Sequence, residues 1–211
     1  MNRPPFVDGE YYHIYNRGVD HRAIVSGHWD SERFMEGAKY FNRIKPVGSL
    51  YELSFDPNKD EDCPKLVEFI CYCLNPNHFH FILRQIAPKG ISLFMKRLLG
   101  GYTMYFNEKE KRSGALFQGL FKSKLIIDND YLLHTSAYVN LNNRVHQLGG
   151  LISKLVRSSW NEYRMGKSGL CEKGIILGQF KNPKEYEKFA LGSLELSLKR
   201  KAEDKELKGL E

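Results

Sequence analysis

Hydrophobic and polar positions alternate most clearly in the middle of the chain. Over residues 66–74, Val67, Phe69, Cys71 and Cys73 fall at every second position, and Phe79, Phe81 and Leu83 repeat the pattern over 79–83. A period of two places these side chains on one face of a strand. Asn75-Pro76-Asn77 between the runs is a turn signal, so the segment reads as strand, turn, strand. Tyr11-Tyr12-His13-Ile14-Tyr15-Asn16 alternates in the same way and runs into Arg17-Gly18. Residues 115–127, with Lys122 and Lys124, read as a last strand.

Helical spacing fills the gaps. After Trp29-Asp30-Ser31-Glu32, the residues Phe34, Ala38, Phe41 and Ile44 recur at three and four until Lys45-Pro46-Val47-Gly48 ends the helix. Over 88–107, Ile91, Phe94, Met95, Leu98, Tyr102, Tyr105 and Phe106 form an apolar stripe. Gly100-Gly101 inside it costs about 1 kcal/mol per glycine, which implies close approach of another backbone or a ligand. Residues 56–64 are charged and read as a loop. Asp128 is a helix N-cap for a segment running to about 143, which Gly149-Gly150 follows. A short helix is expected near 183–191, and the charged last 15 residues read as a frayed helix or disordered tail.

The resulting order, β-α-β-β-α-β over 1–127, is that of a ferredoxin-like α+β fold. Its antiparallel sheet carries two helices on one face, and the added helix of 128–143 can lie across the other. A core domain over 1–147 and a C-terminal extension over 148–211 follow.

Candidate chemistry centres on Asn77-His78-Phe79-His80. With about 3.3 Å of rise per residue, His78 and His80 share a strand face at a spacing that lets two imidazoles grip one metal ion. On the 128–143 helix, Leu133, Ala137 and Leu141 form a packing stripe, and His134, Tyr138 and Asn142 a second. Laid opposite the histidines, Asn142 offers an oxygen ligand and Tyr138 a hydroxyl beside the metal. Tyr131, two turns earlier, offers a rival hydroxyl, but only Thr135 lies four residues after it.

Composition narrows the setting. Hydrophobic content of 42% supplies a core, no apolar run approaches the roughly 18 residues of a membrane span, and Met1-Asn2-Arg3-Pro4-Pro5 lacks a signal peptide's apolar centre. A cytoplasmic location is the expectation. Cys63, Cys71, Cys73 and Cys171 lack zinc-site spacing and read as structural. A net charge of +7 favours a polyanionic partner. Arg17, Arg84, Lys96, Arg97, Lys122, Lys124 and Arg144 lie near the candidate site in sequence, and Tyr102, Tyr105 and Phe117 are candidates to stack unpaired bases.

The ordered set of Asn77-His78-Phe79-His80 and Tyr138-Val139-Asn140-Leu141-Asn142 resembles the HUH single-tyrosine transposases, which include insertion-sequence and REP-associated enzymes. Tyr12-His13-Ile14-Tyr15-Asn16-Arg17-Gly18, Gly114-Ala115-Leu116-Phe117-Gln118, Phe121-Lys122 and Ser158-Ser159-Trp160 extend the likeness over roughly residues 10 to 165. The resemblance implies His78, His80 and Asn142 as ligands of a divalent metal and Tyr138 as the nucleophile. It implies a transposase that cleaves and rejoins single-stranded, hairpin-forming DNA through a 5′-phosphotyrosine link, with a homodimer as one working state. The ligand set suits Mg²⁺ or Mn²⁺, with zinc as a further candidate. One departure is that Asn143 follows Asn142, where the family commonly has proline, which touches the helix boundary more than the chemistry. The rival readings are a non-catalytic ferredoxin-like nucleic-acid-binding protein and a metal-dependent nuclease that uses water.

Overall fold

The computed structural model describes residues 4–61 and 63–208. A five-stranded antiparallel sheet has the order β4-β1-β3-β2-β5. Its strands are β1 (Tyr11–Arg17), β2 (Val67–Leu74), β3 (His78–Gln85), β4 (Lys122–Leu125) and β5 (Arg157–Ser158). The first four reproduce the ferredoxin-like arrangement, and β5 adds a short edge beside β2 that the sequence pattern had not disclosed. Helices α1 (His28–Tyr40) and α3 (Gly90–Lys109) cover one face. Phe34 meets Phe79 there at 5.6 Å between ring centres, and Phe69 lies 5.2 Å from Phe81 and 5.4 Å from Phe94. Fully burying each such side chain contributes roughly 1.5–3 kcal/mol. A short helix α2 (Leu50–Ser54) lies beside α1.

Three sequence expectations change in the sheet and in α3, and others in the elements that follow. Val67 and Phe69 do not share a face with Cys71 and Cys73, because the pairing passes from Phe69↔Leu83 to Cys71↔Ile82 and leaves Ile70 as an extra residue. Such a bulge reverses the facing of everything after it. Cys73 therefore stands opposite His80. The strand expected over 115–127 shrinks to β4, since Gly114 and Gly119 turn the chain at φ +86° and +62°; only a Gly18↔Phe117 bridge remains before it. Gly101 makes room for an aromatic ring rather than a backbone or ligand, as a Cβ there would lie 3.0 Å from Phe41.

On the opposite face lies α4 (Asn129–Asn140), capped by Asp128, whose side chain accepts from Tyr131 N–H at 2.7 Å. The helix breaks at Leu141 (φ −109°, ψ 16°), and Asn142 opens a separate turn, α5 (Asn142–Val145). The expected continuous helix to 143 is thus two pieces. After α6 (Trp160–Met165) and α7 (Gly174–Leu177), α8 (Pro183–Lys208) packs along the outside of α4. It is far longer than expected and takes in most of the charged tail; residues 209–211 lie outside the described ones. Sandwiched between sheet and α8, α4 buries Leu132, Ser136, Val139 and Asn140 as well as Ala137, while Leu133 of the expected stripe is only partly buried.

A buried polar network locks these layers. Asn140 donates to the Tyr186 hydroxyl at 2.9 Å and accepts from Ser159 at 2.6 Å, and Ser136 meets the same hydroxyl at 3.0 Å. Ser159 in turn exchanges hydrogen bonds with the Tyr72 backbone on β2. Ser158-Ser159-Trp160 thereby ties α4 to the sheet. Among the described residues, no helix is long and apolar enough to cross a membrane.

Candidate active site

β3 is a central strand, and its alternation sends Phe79 and Phe81 to the core and His78 and His80 toward α4. The two imidazole centres lie 5.3 Å apart. The Tyr138 ring stands edge-on to His80 at 5.6 Å. Asn142, the first residue of α5, reaches His78 with its Oδ1 2.9 Å from Nε2. Strand and helix thus bring all four candidate residues together. Tyr138 is half-buried, and burial raises its hydroxyl pKa while the Asn142 amide lowers it in part.

Hydrogen bonding fixes the state of His78. Asn77 Oδ1 lies 2.6 Å from Nδ1 and can only accept, so Nδ1 carries the proton. Burial lowers the pKa of His78, which keeps the ring neutral and leaves Nε2 with a bare lone pair. Asn75 Nδ2 donates to Asn142 Oδ1 at 2.7 Å and to His78 Nε2 at 2.9 Å. Two acceptor atoms, Nε2 and Oδ1, consequently converge at 2.9 Å. Two ligand atoms about 2.1 Å from one ion and at right angles are roughly 3 Å apart, so this pair fits a cation. Asn142 is fully buried, and among the described residues its Nδ2 makes no hydrogen bond of good geometry, an arrangement that costs about 1–3 kcal/mol and that a ligand role for Oδ1 explains. Among the described residues, no three His, Cys, Asp or Glu side chains are placed to hold a metal; the donor set is two imidazoles and an amide.

Sequence reasoning missed two neighbours. His13 on β1 places Nε2 2.8 Å from His80 Nδ1, and His146 lies beside His78 with ring centres 4.6 Å apart. Burial, then the nearby Lys124 charge, pulls His13 down to about 4, and burial holds His80 well below the ordinary value. Both rings are neutral at pH 7. One of the two tautomer pairs that satisfy this contact has His13 accepting through Nε2 and His80 protonated on Nδ1, which leaves a lone pair on His80 Nε2. A second contact of this kind orients the ring of a histidine that binds a metal. The signal for His13 was its place on β1, since the ferredoxin-like order makes β1 the neighbour of β3. The His134 ring packs on Phe189, and its Nδ1 meets Ser193 at 3.1 Å.

A cleft of about 760 Å³ opens beside Tyr138, walled by Tyr15, Lys124 and Tyr131 and, from α8, by Ser193 and Ser197. Lys122 and Lys124 alternate onto this face opposite Tyr15 and His13, and Arg17 pairs across from His78. Arg84, at the far end of β3, is tied to Glu68 at 3.2 Å. Arg144 lies over the Trp160 ring at 5.6 Å. Lys96 and Arg97 sit on α3 behind the sheet, where Arg97 donates to the Arg43 and Ile44 carbonyls. Tyr102 and Phe117 are core residues and Tyr105 donates to Asp30, so none of the three is free for stacking.

No family model matches the chain, and no curated protein matches it. Among solved structures, it is similar to a REP-associated tyrosine transposase bound to a REP hairpin, with a TM-score of 0.50 and 11% identity over 79% of this chain and 86% of that one. The chain has a tyrosine-transposase-like α+β fold with an added helical C-terminus.

Proposed function

We propose that the protein is a metal-dependent, single-tyrosine DNA strand transferase that cleaves and rejoins single-stranded, hairpin-forming DNA. The observation that carries this reading is the convergence of His78 Nε2 and Asn142 Oδ1 at 2.9 Å beside Tyr138. The fold likeness to a transposase bound to a DNA hairpin supports the choice of substrate.

In this mechanism His78, His80 and Asn142 would hold the divalent ion, Mg²⁺ or Mn²⁺. When bound, such an ion polarises the phosphate oxygens and stabilises their developing charge. The Tyr138 oxygen bonds to phosphorus as the bond to the 3′-oxygen breaks. The phenolic proton departs, the leaving oxygen takes one up, and a 5′-phosphotyrosine and a free 3′-hydroxyl result. One phosphodiester is exchanged for another, so rejoining needs no external energy source. Ionising an ordinary phenol at pH 7 costs about 4 kcal/mol, and burial adds to that at Tyr138. Lys124, on the cleft wall, contributes positive charge against this cost. The hydrogen bonds of Asn140 and Ser159 that hold α4 to its own sheet support a reading in which Tyr138 serves the histidines of its own chain.

The test is Tyr138→Phe against a labelled hairpin oligonucleotide with Mn²⁺. The wild type forms a covalent protein–DNA adduct that EDTA abolishes, and the variant forms none. Undiminished adduct in the variant would remove Tyr138 as the nucleophile.

A further inference from the structure

Asn75 follows β2 at the tip of the hairpin, where its backbone N–H donates to the His78 carbonyl at 2.8 Å. Its side chain is fully buried. Its Nδ2 lies 2.7 Å from Asn142 Oδ1 and 2.9 Å from His78 Nε2, within donating distance of both. An amide NH₂ set between two converging lone pairs satisfies them by hydrogen bonding, as a cation would by charge. His78 Nε2 has a single lone pair, which Nδ2 and an ion cannot both use, so ion entry requires the amide to give way. Its other end is held weakly: among the described residues, Oδ1 accepts from the Cys73 thiol alone, at 3.6 Å. A thiol is a weak donor and a weak acceptor, so turning the amide end for end sacrifices little. The turn replaces Nδ2 by Oδ1, an oxygen of the kind that hard cations bind.

We propose that Asn75 is both the placeholder of the metal-free site and a further ligand of the loaded one. Without metal, its NH₂ bridges His78 and Asn142; with metal, the turned amide presents Oδ1 to the ion. This rests on the reading of His78 and Asn142 as ligands. It adds a second amide oxygen and shifts the site's preference toward Mg²⁺ and Mn²⁺ relative to zinc.

Calorimetric titration of the full chain with Mn²⁺ tests this, comparing wild type with Asn75→Leu, Asn75→Asp and His78→Ala, after thermal melts in EDTA establish that each is folded. Asn75→Leu weakens Mn²⁺ binding at least tenfold, and Asn75→Asp, with oxygen at both positions, tightens it by a similar factor. Wild-type or tighter affinity in Asn75→Leu would mean that the amide only blocks the site, and would overturn the ligand assignment. If the leucine variant does not fold, the aspartate variant decides, and an unchanged affinity there overturns the proposal. Absence of Mn²⁺ binding to the wild type would overturn the metal reading itself, an outcome distinct from wild-type binding that the Asn75 variants leave unaltered.

Discussion

His13 shows how one contact across the sheet can govern a site it does not occupy. Its Nε2 stands 2.8 Å from His80 Nδ1, and His80 can offer Nε2 to a metal only while Nδ1 holds the proton. His13→Phe keeps a ring in place but removes the acceptor, so Mn²⁺ affinity measured by calorimetry falls about ten- to a hundredfold, the usual loss on removing such an outer contact. His13→Gln retains an acceptor oxygen and restores most of that affinity. Equal affinity in His13→Phe and wild type would show that His13 only packs. His78 and His80 were legible in the sequence because a period of two is a local property. His13 and Asn75 were not, since their roles depend on strand pairing and on hairpin geometry. Cys73 misled for a related reason: the extra residue at Ile70 reverses its facing, and no residue type in that run announces a bulge.

At the level of elements, α4 and α1 are each held by a buried polar group. Tyr186→Phe deletes the hydroxyl that accepts from Asn140 and meets Ser136, leaving a buried amide donor without its partner. It destabilises the protein by about 1–3 kcal/mol, read as a lower urea midpoint at unchanged slope. Asp30 joins the start of α1 to the end of α3: it accepts from Ser26 and Gly27 N–H, from Tyr105 and from Lys109. Burial raises its pKa, but these hydrogen bonds outweigh it and hold the carboxyl below the ordinary 3.8. A depressed folded pKa means that the unfolded chain binds the proton first. The stabilisation from Asp30 is therefore complete above about pH 4 and is lost as pH falls through the folded value. Melts of Asp30→Asn are lower than wild type at pH 7, and the gap narrows in acid; a gap independent of pH would contradict this account. The helices themselves were legible from their apolar spacing. The break at Leu141 was not, because the residues on either side carry no proline or glycine to mark it.

Across the whole molecule, the order of the first four strands followed from the succession of elements, whereas β5 and the full length of α8 did not. Both lie after residue 147, where apolar periodicity is weak and burial is supplied by α4 and β2. The same three-dimensional arrangement sorts the positive charge that the sequence left undivided. Arg17, Lys122 and Lys124 lie on the face that carries His78 and Tyr138, while Lys96 is exposed on α3 behind the sheet. If single-stranded DNA occupies the cleft, only the first group meets its phosphates. Each phosphate neutralised on a single strand contributes about 0.7 to the slope of log affinity against log salt. Replacing both Lys122 and Lys124 by alanine therefore lowers the magnitude of that slope by about 1.4, with weaker binding at low salt and a smaller deficit at high salt. Lys96→Ala removes the same kind of charge from the opposite face and leaves the slope unchanged. Fluorescence anisotropy of a labelled hairpin oligonucleotide across a salt series reads both. Equal effects from the two faces would mean that net charge alone attracts the DNA, and would separate the binding surface from the Tyr138 cleft.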